Sequence, residues 1–600
     1  MSIQYTDEPQ AQIVIALLKE HGVRKIVVSP GATNIPIAGS VQSDPFFEVY
    51  SSVDERSAAY IACGLAEDSG EPVAISCTGA TASRNYMPGL TEAYYRKLPI
   101  IAITSFNGNK FIGHLMPQNI DRTNLPNDIA KLSVNLPVVK DESDFDYCSV
   151  LVNKAITEST RNGGGPVHIN LTTTYKGTFN TTKLPNVRVI KRVSSIIDIP
   201  KKHIEKKKVA IFIGSHKKFT KHEADAIERF CVKFNAVVLC DHTSSYKGKY
   251  RIQSALVCSS FSRIDPEWKS IKPEIVIHIG EVSGDYPSMR VLEEADEVWR
   301  ISEDGEIRDK GGKLGFVYQG TELSFFESII ENWETKNHGE LYSNWLKKDN
   351  SLRARMPEVP YSNLWIASKL SKEIPNGSYL NLAILNSLRS WNFFNIPEGI
   401  DSYSNVGGFG IDGCISTLVG ASLVKPERLY FGVIGDLAFF YDINVIANRH
   451  LGNNVRLLLI NNGCGTEFKI GKHIGSQFGD RSDDFIAAGG HFGSGNASTS
   501  QVLSKKQRKE NSLAKSWANS LGFTYLVSTS KEDFDSNMTQ FLTSETEKPI
   551  ILECFTDAND EEEALNFITS FNESGKAKAI NKVKTILPNS VIQVAKKIVK

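Results

Sequence analysis

The stretch LYFGVIGDLAFFYDINVIANRHLGNNVRLLLINNGCGTEF, Leu429 to Phe468, decides the fold. An apolar run of the kind found in buried strands leads into Gly435-Asp436. A helix-like stretch comes next, and a second apolar run ends at Asn461-Asn462. Two such strands joined through a helical pattern argue for a parallel sheet, and in an open parallel sheet ligands bind beyond the carboxyl ends of the strands. Asp436 and Asn462 both lie at such ends. Glycine at 435 lets the backbone approach a phosphate closely, and the helix starting after it offers free N–H groups to an anion. The side-chain oxygens of Asp and Asn are ligands that Mg²⁺ accepts together with phosphate oxygens. Either dipeptide alone reads as a turn or a strand end. The pair, on successive strands, reads as a phosphate and metal site.

The same alternation extends in both directions. Near the N-terminus KIVVS (from Lys25), PVAIS (from Pro72), PIIAIT (from Pro99) and PVHINL (from Pro166) read as strands, with helices at Gln10–His21 and Glu55–Glu67. VAIFIG (from Val209), AVVLC (from Ala236), IVIHIG (from Ile275) and EVWRIS (from Glu297) form a second group. SYLNLA, RLYFGVIG, RLLLINN and KPIILECF form a third. Strands alternating with helices predict an α/β fold of three tandem domains, with mainly parallel sheets covered by helices. The expected boundaries are 1–185, 186–340 and 341–560, with a charged tail at 561–600. Thr182 to Lys207 and Lys336 to Pro360 read as connections. The Gly-rich segment Gly463–Gln501 reads as a lid or binding loop.

Composition narrows the function classes. The chain has 600 residues, 41% hydrophobic and 23% charged, with 68 basic and 68 acidic side chains. This balance supplies no global field toward nucleic acid, so no nucleic-acid partner is expected. No apolar run is long enough to span a bilayer, and the N-terminus has no signal-peptide pattern, so no membrane association is expected. The nine cysteines form no CxxC pair and no zinc spacing, which points to reduced thiols and a cytoplasmic location.

Two further segments bear on chemistry. SSVDERSAAYIACGLAEDSG places Glu55 in the first turn of a helix, where a glutamate ordinarily sits at the surface and complements the helix dipole. SNVGGFGIDGCISTLVG contains Gly408-x-Gly410-x-x-Gly413, formally a dinucleotide fingerprint. An NAD-dependent oxidoreductase is disfavoured, because the glycines open onto a helix leading to the Gly435-Asp436 strand and not onto a strand ending in an acid.

Gly-Asp, with Asn-Asn one strand later, resembles the signature of thiamine-diphosphate (ThDP) enzymes. VVSPGATNIPI, VDERSAAYIACGLA, GATASRNYMPGLTEA, SNVGGFGIDGCISTLVG and GDLAFFYDIN together resemble one branch, the 2-succinyl-5-enolpyruvyl-6-hydroxy-3-cyclohexene-1-carboxylate synthases of menaquinone biosynthesis. The resemblance implies a pyrimidine-binding, a central and a diphosphate-binding domain. It also implies Mg²⁺ ligation by Asp436, Asn462 and the backbone carbonyl of Cys464. Glu55 would hydrogen-bond N1′ of the aminopyrimidine, and this is expected to require an apolar pocket. Ile411 would be the apolar wedge that bends the cofactor. Pro30, Gly31, Thr78, Asn85, Gly410, Gly435, Leu437 and Gly465 would complete the cofactor site. Leu437, in place of the commoner glycine, is accounted for by this branch. Gln118 becomes a catalytic candidate and Phe468 a wall near the substrate. A homodimer or homotetramer with active sites at the subunit interface is implied. No flavin is expected in the central domain.

The departures concern substrate. The branch carries arginines where this chain has Thr33, Asn107 and Val406, and a fourth near Leu382–Asn386 is absent, with Arg389 close by. Losing a bidentate arginine partner of a buried carboxylate costs about 2–5 kcal/mol. The expectation is therefore a ThDP- and Mg²⁺-dependent carboligase. It would decarboxylate a 2-oxo acid such as pyruvate and transfer the acyl-anion equivalent to an acceptor, in the manner of this synthase or of acetolactate synthase but without isochorismate. Arg84, Lys110, His114, Arg122, His473 and His491 are candidates for new polar contacts. The alternatives are a simple 2-oxo acid decarboxylase and a catalytically silent regulatory protein on the same fold.

Overall fold

The computed structural model describes residues 3–174, 177–201, 204, 207–334, 340–469, 473–491 and 503–572. Its strands make three parallel sheets of six, seven and six strands, the α/β architecture expected from the alternation. The chain separates into two compact units, Met1–Asp198 with Glu303–Gln319, and Ile199–Ser302 with Gly320–Lys600.

In the first unit β1 (Lys25–Val28), β2 (Glu48–Ser51), β3 (Val73–Cys77), β4 (Ile100–Phe106), β5 (Leu132–Leu136) and β6 (Val167–Thr172) lie in the order β2-β1-β3-β4-β6-β5. Every residue of β3 and β4 is buried, as continuous apolar runs covered on both faces require. One face packs on Ile13, Leu17, Cys148 and Val152 of the helices Pro9–Glu20 and Glu142–Glu158. The other packs on Ala58, Ala62 and Leu90 of the helices Glu55–Ser69 and Met87–Tyr95. The same unit holds a parallel pair, β7 (Lys191–Val193) with β13 (Leu314–Gln319).

In the second unit β8 (Val209–Ile213), β9 (Val237–Cys240), β10 (Arg251–Gln253), β11 (Ile275–Ile279) and β12 (Glu297–Ser302) run in the order β10-β9-β8-β11-β12. β14 (Tyr379–Leu382), β15 (Asp401–Tyr403), β16 (Tyr430–Gly435), β17 (Val455–Asn461), β18 (Thr524–Ser528) and β19 (Ile550–Phe555) run in the order β15-β14-β16-β17-β19-β18. The first and last sheets thus share one strand order. In each, the connections reverse direction beside the first strand, between β1 and β3 and between β14 and β16. Such switch points open crevices at the carboxyl ends of the strands. β3 ends at Thr78-Gly79 and β16 at Gly435-Asp436.

Two connections are more structured than the sequence suggests. The stretch from Thr182 to Lys207 contains β7 and a short turn of helix at Ile196–Asp198. β7 is a three-residue strand whose basic composition hides it from an apolar pattern. The stretch from Lys336 to Pro360 contains the helix Leu341–Ala354. Its charged surface conceals a buried Trp345, whose indole N–H donates to the Ile271 carbonyl at 2.8 Å and whose ring meets Trp268 edge-on. The acidic run after Phe555 forms the start of the helix Ala558–Ser570. Residues 492–502 of the expected lid and 573–600 of the tail lie outside the described residues.

Beyond the carboxyl ends of β9 and β11 two carboxylates are buried together. Asp241 accepts from Ser283 Oγ at 2.6 Å and Thr243 N at 2.7 Å. Asp285 caps the helix Tyr286–Glu294, accepting from Ser288 N at 3.2 Å. Burial, reinforced by the Asp241 carboxylate, pushes Asp285 up to about 7. The folded value lies above that of an unfolded aspartate, so the folded protein holds an extra proton between about pH 4 and pH 7. The stability this confers is complete below about pH 4 and is lost as pH rises through 7. Asp285→Asn keeps a capping oxygen and should gain as much as about 4 kcal/mol over wild type at pH 8, and nothing at pH 4. Thermal or urea unfolding at the two pH values measures this; a difference that does not vary with pH would refute it.

Candidate active site

The first unit assembles one group of residues at the switch point of its sheet. Gly31 comes after β1 with φ 153°, and a Cβ there would lie 2.3 Å from Thr78 Cβ. Only glycine lets this turn close on the end of β3. Thr33 Oγ1 lies 2.5 Å from Thr78 Oγ1 and donates to the Ser105 carbonyl at 2.8 Å. The ends of β1, β3 and β4 are so tied by one threonine, at a position where the resembled branch has an arginine. Asn34 braces the turn from beneath, donating to the Ser29 carbonyl at 3.0 Å and accepting from Ser76 Oγ at 2.5 Å.

Glu55 opens the helix Glu55–Ser69, which Asp54 caps by accepting from Arg56 N at 3.0 Å and Ser57 Oγ at 2.9 Å. The buried alanines 58, 59 and 62 let neighbouring elements come close. At Gly89 a Cβ would lie 2.5 Å from Ala59 Cβ, so two helices touch with no side chain between them. Glu55 itself is half-buried. Around it Val49, Tyr50, Val53, Tyr60 and Ile61 are exposed, Val53 at 86%. The apolar enclosure expected for Glu55 is not built by its own unit. Asn85 and Gln118 are exposed, and Gln118 stands at φ 61°. Asn107 is half-buried.

The second unit assembles the other group. Asp436 is 4% exposed. One of its oxygens accepts from Gly463 N at 2.9 Å and the other from Leu437 N at 3.1 Å. The end of β16 thereby grips the turn after β17. Burial pushes Asp436 up to about 7, against the lowering effect of these N–H groups and of the Arg508 charge. Asn462 Oδ1 accepts from Cys464 N at 3.1 Å, which curls the turn so that its oxygens gather. Gly465 N donates to Asp483 at 2.6 Å. Arg508 is buried and donates to the carbonyls of Asn462 and Thr556. At Gly463 a Cβ would lie 2.6 Å from the Arg508 side chain, and φ is 72°, so glycine is required there on two counts.

Ile411 packs, half-buried, against the core cluster that holds Ile434 and Ala438. Gly410 precedes it, and a Cβ there would meet the Asp412 carboxylate at 2.3 Å. Gly413 caps the helix Cys414–Ser422. The three glycines therefore shape a turn that presents Ile411. Val406 is buried, its methyl 2.7 Å from where a Cβ of Gly284 would stand. Phe468 meets His473 edge-on. Arg389 is bound by Glu467 in a two-pronged pair at 2.9 and 3.0 Å. Sequence reasoning missed Glu467, Asp483 and Arg508. Their partners are mostly backbone groups or charges far along the chain, and no local pattern marks them.

Among the described residues no three His, Cys, Asp or Glu side chains converge as metal ligands. The oxygens gathered at the second group are one carboxylate, one amide and backbone carbonyls. This is a hard, oxygen-only set of the kind Mg²⁺ takes when phosphates supply the remaining ligands. A carboxylate buried without a direct ion pair is costly and favours a cation beside it. The residues present fit a diphosphate–Mg²⁺ group.

Comparison with known proteins agrees with this chemistry. Residues 10–125 match the family of thiamine pyrophosphate enzymes, N-terminal TPP binding domain. A 2-succinyl-5-enolpyruvyl-6-hydroxy-3-cyclohexene-1-carboxylate synthase of Phocaeicola vulgatus is 32% identical, over 92% of this chain and 96% of its own length. The enzyme of that name from Bacteroides thetaiotaomicron is 30% identical, over 92% and 97%. One from Flavobacterium psychrophilum is 26% identical, over 78% and 85%. The expected cofactor and the expected class, decarboxylation with C–C bond formation, stand with these relatives; the exclusion of isochorismate gains no support from them. With 32% identity along nine-tenths of its length, the chain belongs to the 2-succinyl-5-enolpyruvyl-6-hydroxy-3-cyclohexene-1-carboxylate synthase family of thiamine-diphosphate-dependent enzymes.

Proposed function

We propose that this enzyme decarboxylates a 2-oxo acid and joins the remaining acyl unit to an acceptor, with a substrate pair that differs in at least one member from 2-oxoglutarate and isochorismate. The observation that carries this reading is the neutral, inwardly committed state of the positions where the resembled branch has arginines. Thr33 is spent on Thr78 and the Ser105 carbonyl, Val406 is buried in packing, and Arg389 is neutralised by Glu467. Asn107 carries no charge. The relatives' shared name favours the 2-oxoglutarate and isochorismate pair as the second reading.

When bound, thiamine diphosphate supplies a nucleophilic carbon and an electron sink for loss of CO₂. The chain's own residues have these roles in our reading. Asp436, Asn462 and the Cys464 carbonyl hold Mg²⁺. Gly435, Leu437 and Gly465 let the backbone approach the diphosphate. Gly410 and Ile411 support the cofactor's bend, and Pro30, Gly31, Thr78 and Asn85 line its pyrimidine side. Glu55 holds a proton at the pyrimidine nitrogen, and Gln118 reaches the substrate. Thr33, Asn107, Val406 and Phe468 face the substrate. Domains at 1–185, 186–340 and 341–560 carry these parts. The exposed apolar residues around Glu55 form the kind of patch that marks a protein interface. This supports a homodimer or homotetramer in which a partner subunit encloses Glu55. No helix among the described residues is long and apolar enough to cross a membrane, and the nine cysteines are free thiols; both accord with a cytoplasmic enzyme.

The test is a panel assay on the Mg²⁺- and ThDP-loaded protein, monitoring CO₂ release from pyruvate, 2-oxoglutarate and other 2-oxo acids, with and without isochorismate. Efficient turnover of 2-oxoglutarate with isochorismate would establish the second reading, and cofactor binding without turnover of any acid would favour a silent homologue. Glu55→Gln should retain ThDP and lose about 100-fold or more in turnover; near-normal rates would remove Glu55 from its role. Asp436→Ala should weaken Mg²⁺-dependent ThDP binding by about 100-fold or more, since even supports of metal ligands matter about 10–100-fold. Unchanged affinity by titration calorimetry would refute the metal site.

A further inference from the structure

Arg122 is 2% exposed, yet no carboxylate pairs with it. Its Nη1 is buried without a hydrogen-bond partner. Nη2 makes a single long bond, 3.4 Å, to the Thr104 carbonyl. The guanidinium lies over the Phe106 ring, 4.6 Å from its centre. The charges that act on it are those of Cys77, a buried thiol, and of Arg84, which is another cation. Burial brings Arg122 down to about 10, so it stays charged at neutral pH. A buried, unpaired charge is among the costliest features a fold can carry. Asp121, next in the chain, is spent on Thr123.

The position of this charge is informative. At Gly79, just beyond β3, a Cβ would stand 3.0 Å from Arg122 Nη1 and 3.2 Å from the Ser105 carbonyl. The same carbonyl accepts from Thr33 on its other side. Phe106, under the guanidinium, directly precedes Asn107. The cation therefore sits between two of the positions where the resembled branch has arginines, delivered from a different loop. Two other buried polar atoms of these segments also lack partners, Ser105 Oγ and Asn119 Oδ1. Asn119 is tied to the same strand end by a 3.4 Å bond to the Gly108 carbonyl.

We infer that Arg122, reached past Gly79, is the carboxylate-binding residue of the substrate site in this enzyme. This rests on the functional reading above and adds the substrate class to it. The carboxylate is one that survives the reaction, because gripping the group lost as CO₂ would stabilise the ground state and slow its departure. It belongs either to the distal end of a dicarboxylic 2-oxo acid or to the acceptor.

The experiment uses the full chain loaded with Mg²⁺ and ThDP, as wild type, Arg122→Met and Arg122→Lys. The probes are succinate, which stands for a donor's distal carboxylate, and cyclohexene-1-carboxylate, which stands for an acceptor's. Affinities come from calorimetry and thermal shift. Wild type should bind at least one probe, and Arg122→Met should weaken that binding by about 30-fold or more. Arg122→Lys, which keeps the charge without the fork, should fall between the two. The probe whose affinity drops identifies the source of the carboxylate. ThDP affinity should be unchanged, and Arg122→Met, which removes an unpaired buried charge, should melt no lower than wild type. A variant that melts much lower while binding the probes as wild type does would mean a structural role and overturn the inference, as would a loaded wild type that binds neither probe. Should Arg122→Met fail to fold, equal probe affinity of Arg122→Lys and wild type would overturn it. Failure of wild type to hold ThDP would instead overturn the functional reading beneath it.

Discussion

The bond from Gly463 N to the Asp436 carboxylate joins the two strand ends on which the diphosphate group would sit. It spans β16 and β17, and it works only because Asp436 is buried. In water such a bond would be worth little; inside the protein, an unmet carboxylate oxygen would cost several times more than the bond gains. The turn after β17 is therefore held to one shape, with Asn462 curled onto Cys464 N and Gly463 in a conformation other residues resist. Arg508 closes the arrangement from behind by binding the Asn462 carbonyl. Much of the second unit's site depends on this single contact, and its residual cost, a carboxylate without an ion pair, is what a bound cation would relieve.

That constraint explains which parts were legible in the sequence. β3, β4, β16 and β17 are buried on both faces, so their apolar runs are unbroken and easily read. Strands at or near sheet edges, such as β2, β5, β7, β15 and β18, are short or only partly buried, and their mixed composition carries no comparable signal. The helix Leu341–Ala354 escaped notice because most of its residues are polar and its anchoring rests on a few, Trp345 foremost. Asp436 and Asn462 were legible because backbone geometry demands glycine beside them and chemistry demands oxygen. Arg508 and Asp483 were not, because any cation or carboxylate arriving from elsewhere in the chain would serve.

The repeated strand order of the outer sheets gives a reason for the division of labour between the two groups of residues. The same order produces the same crevice in each, at β1/β3 and at β14/β16. One crevice is lined by Thr33, Thr78 and Gly31, with uncharged hydrogen-bonding groups and a tight glycine turn. The other is lined by Asp436 and Asn462, with oxygens gathered for a cation. The two crevices have diverged in chemistry on one topology, the expected result when function resides in strand-end residues and not in the sheet that carries them.

The same logic bears on specificity. A scaffold that holds its strand ends rigidly can accept a cation from any loop that reaches them. The first unit lacks arginines at Thr33 and Asn107, but β4 retains a guanidinium over Phe106, contributed by the segment just beyond Gln118. Positive charge near the Ser105 carbonyl is kept while its source in the sequence changes. Position-by-position comparison of motifs records this as a loss of two arginines. Counted by location in space, it is a relocation, and it turns the absence of arginines at their usual positions from an argument against anionic substrates into an argument about where their carboxylates are held.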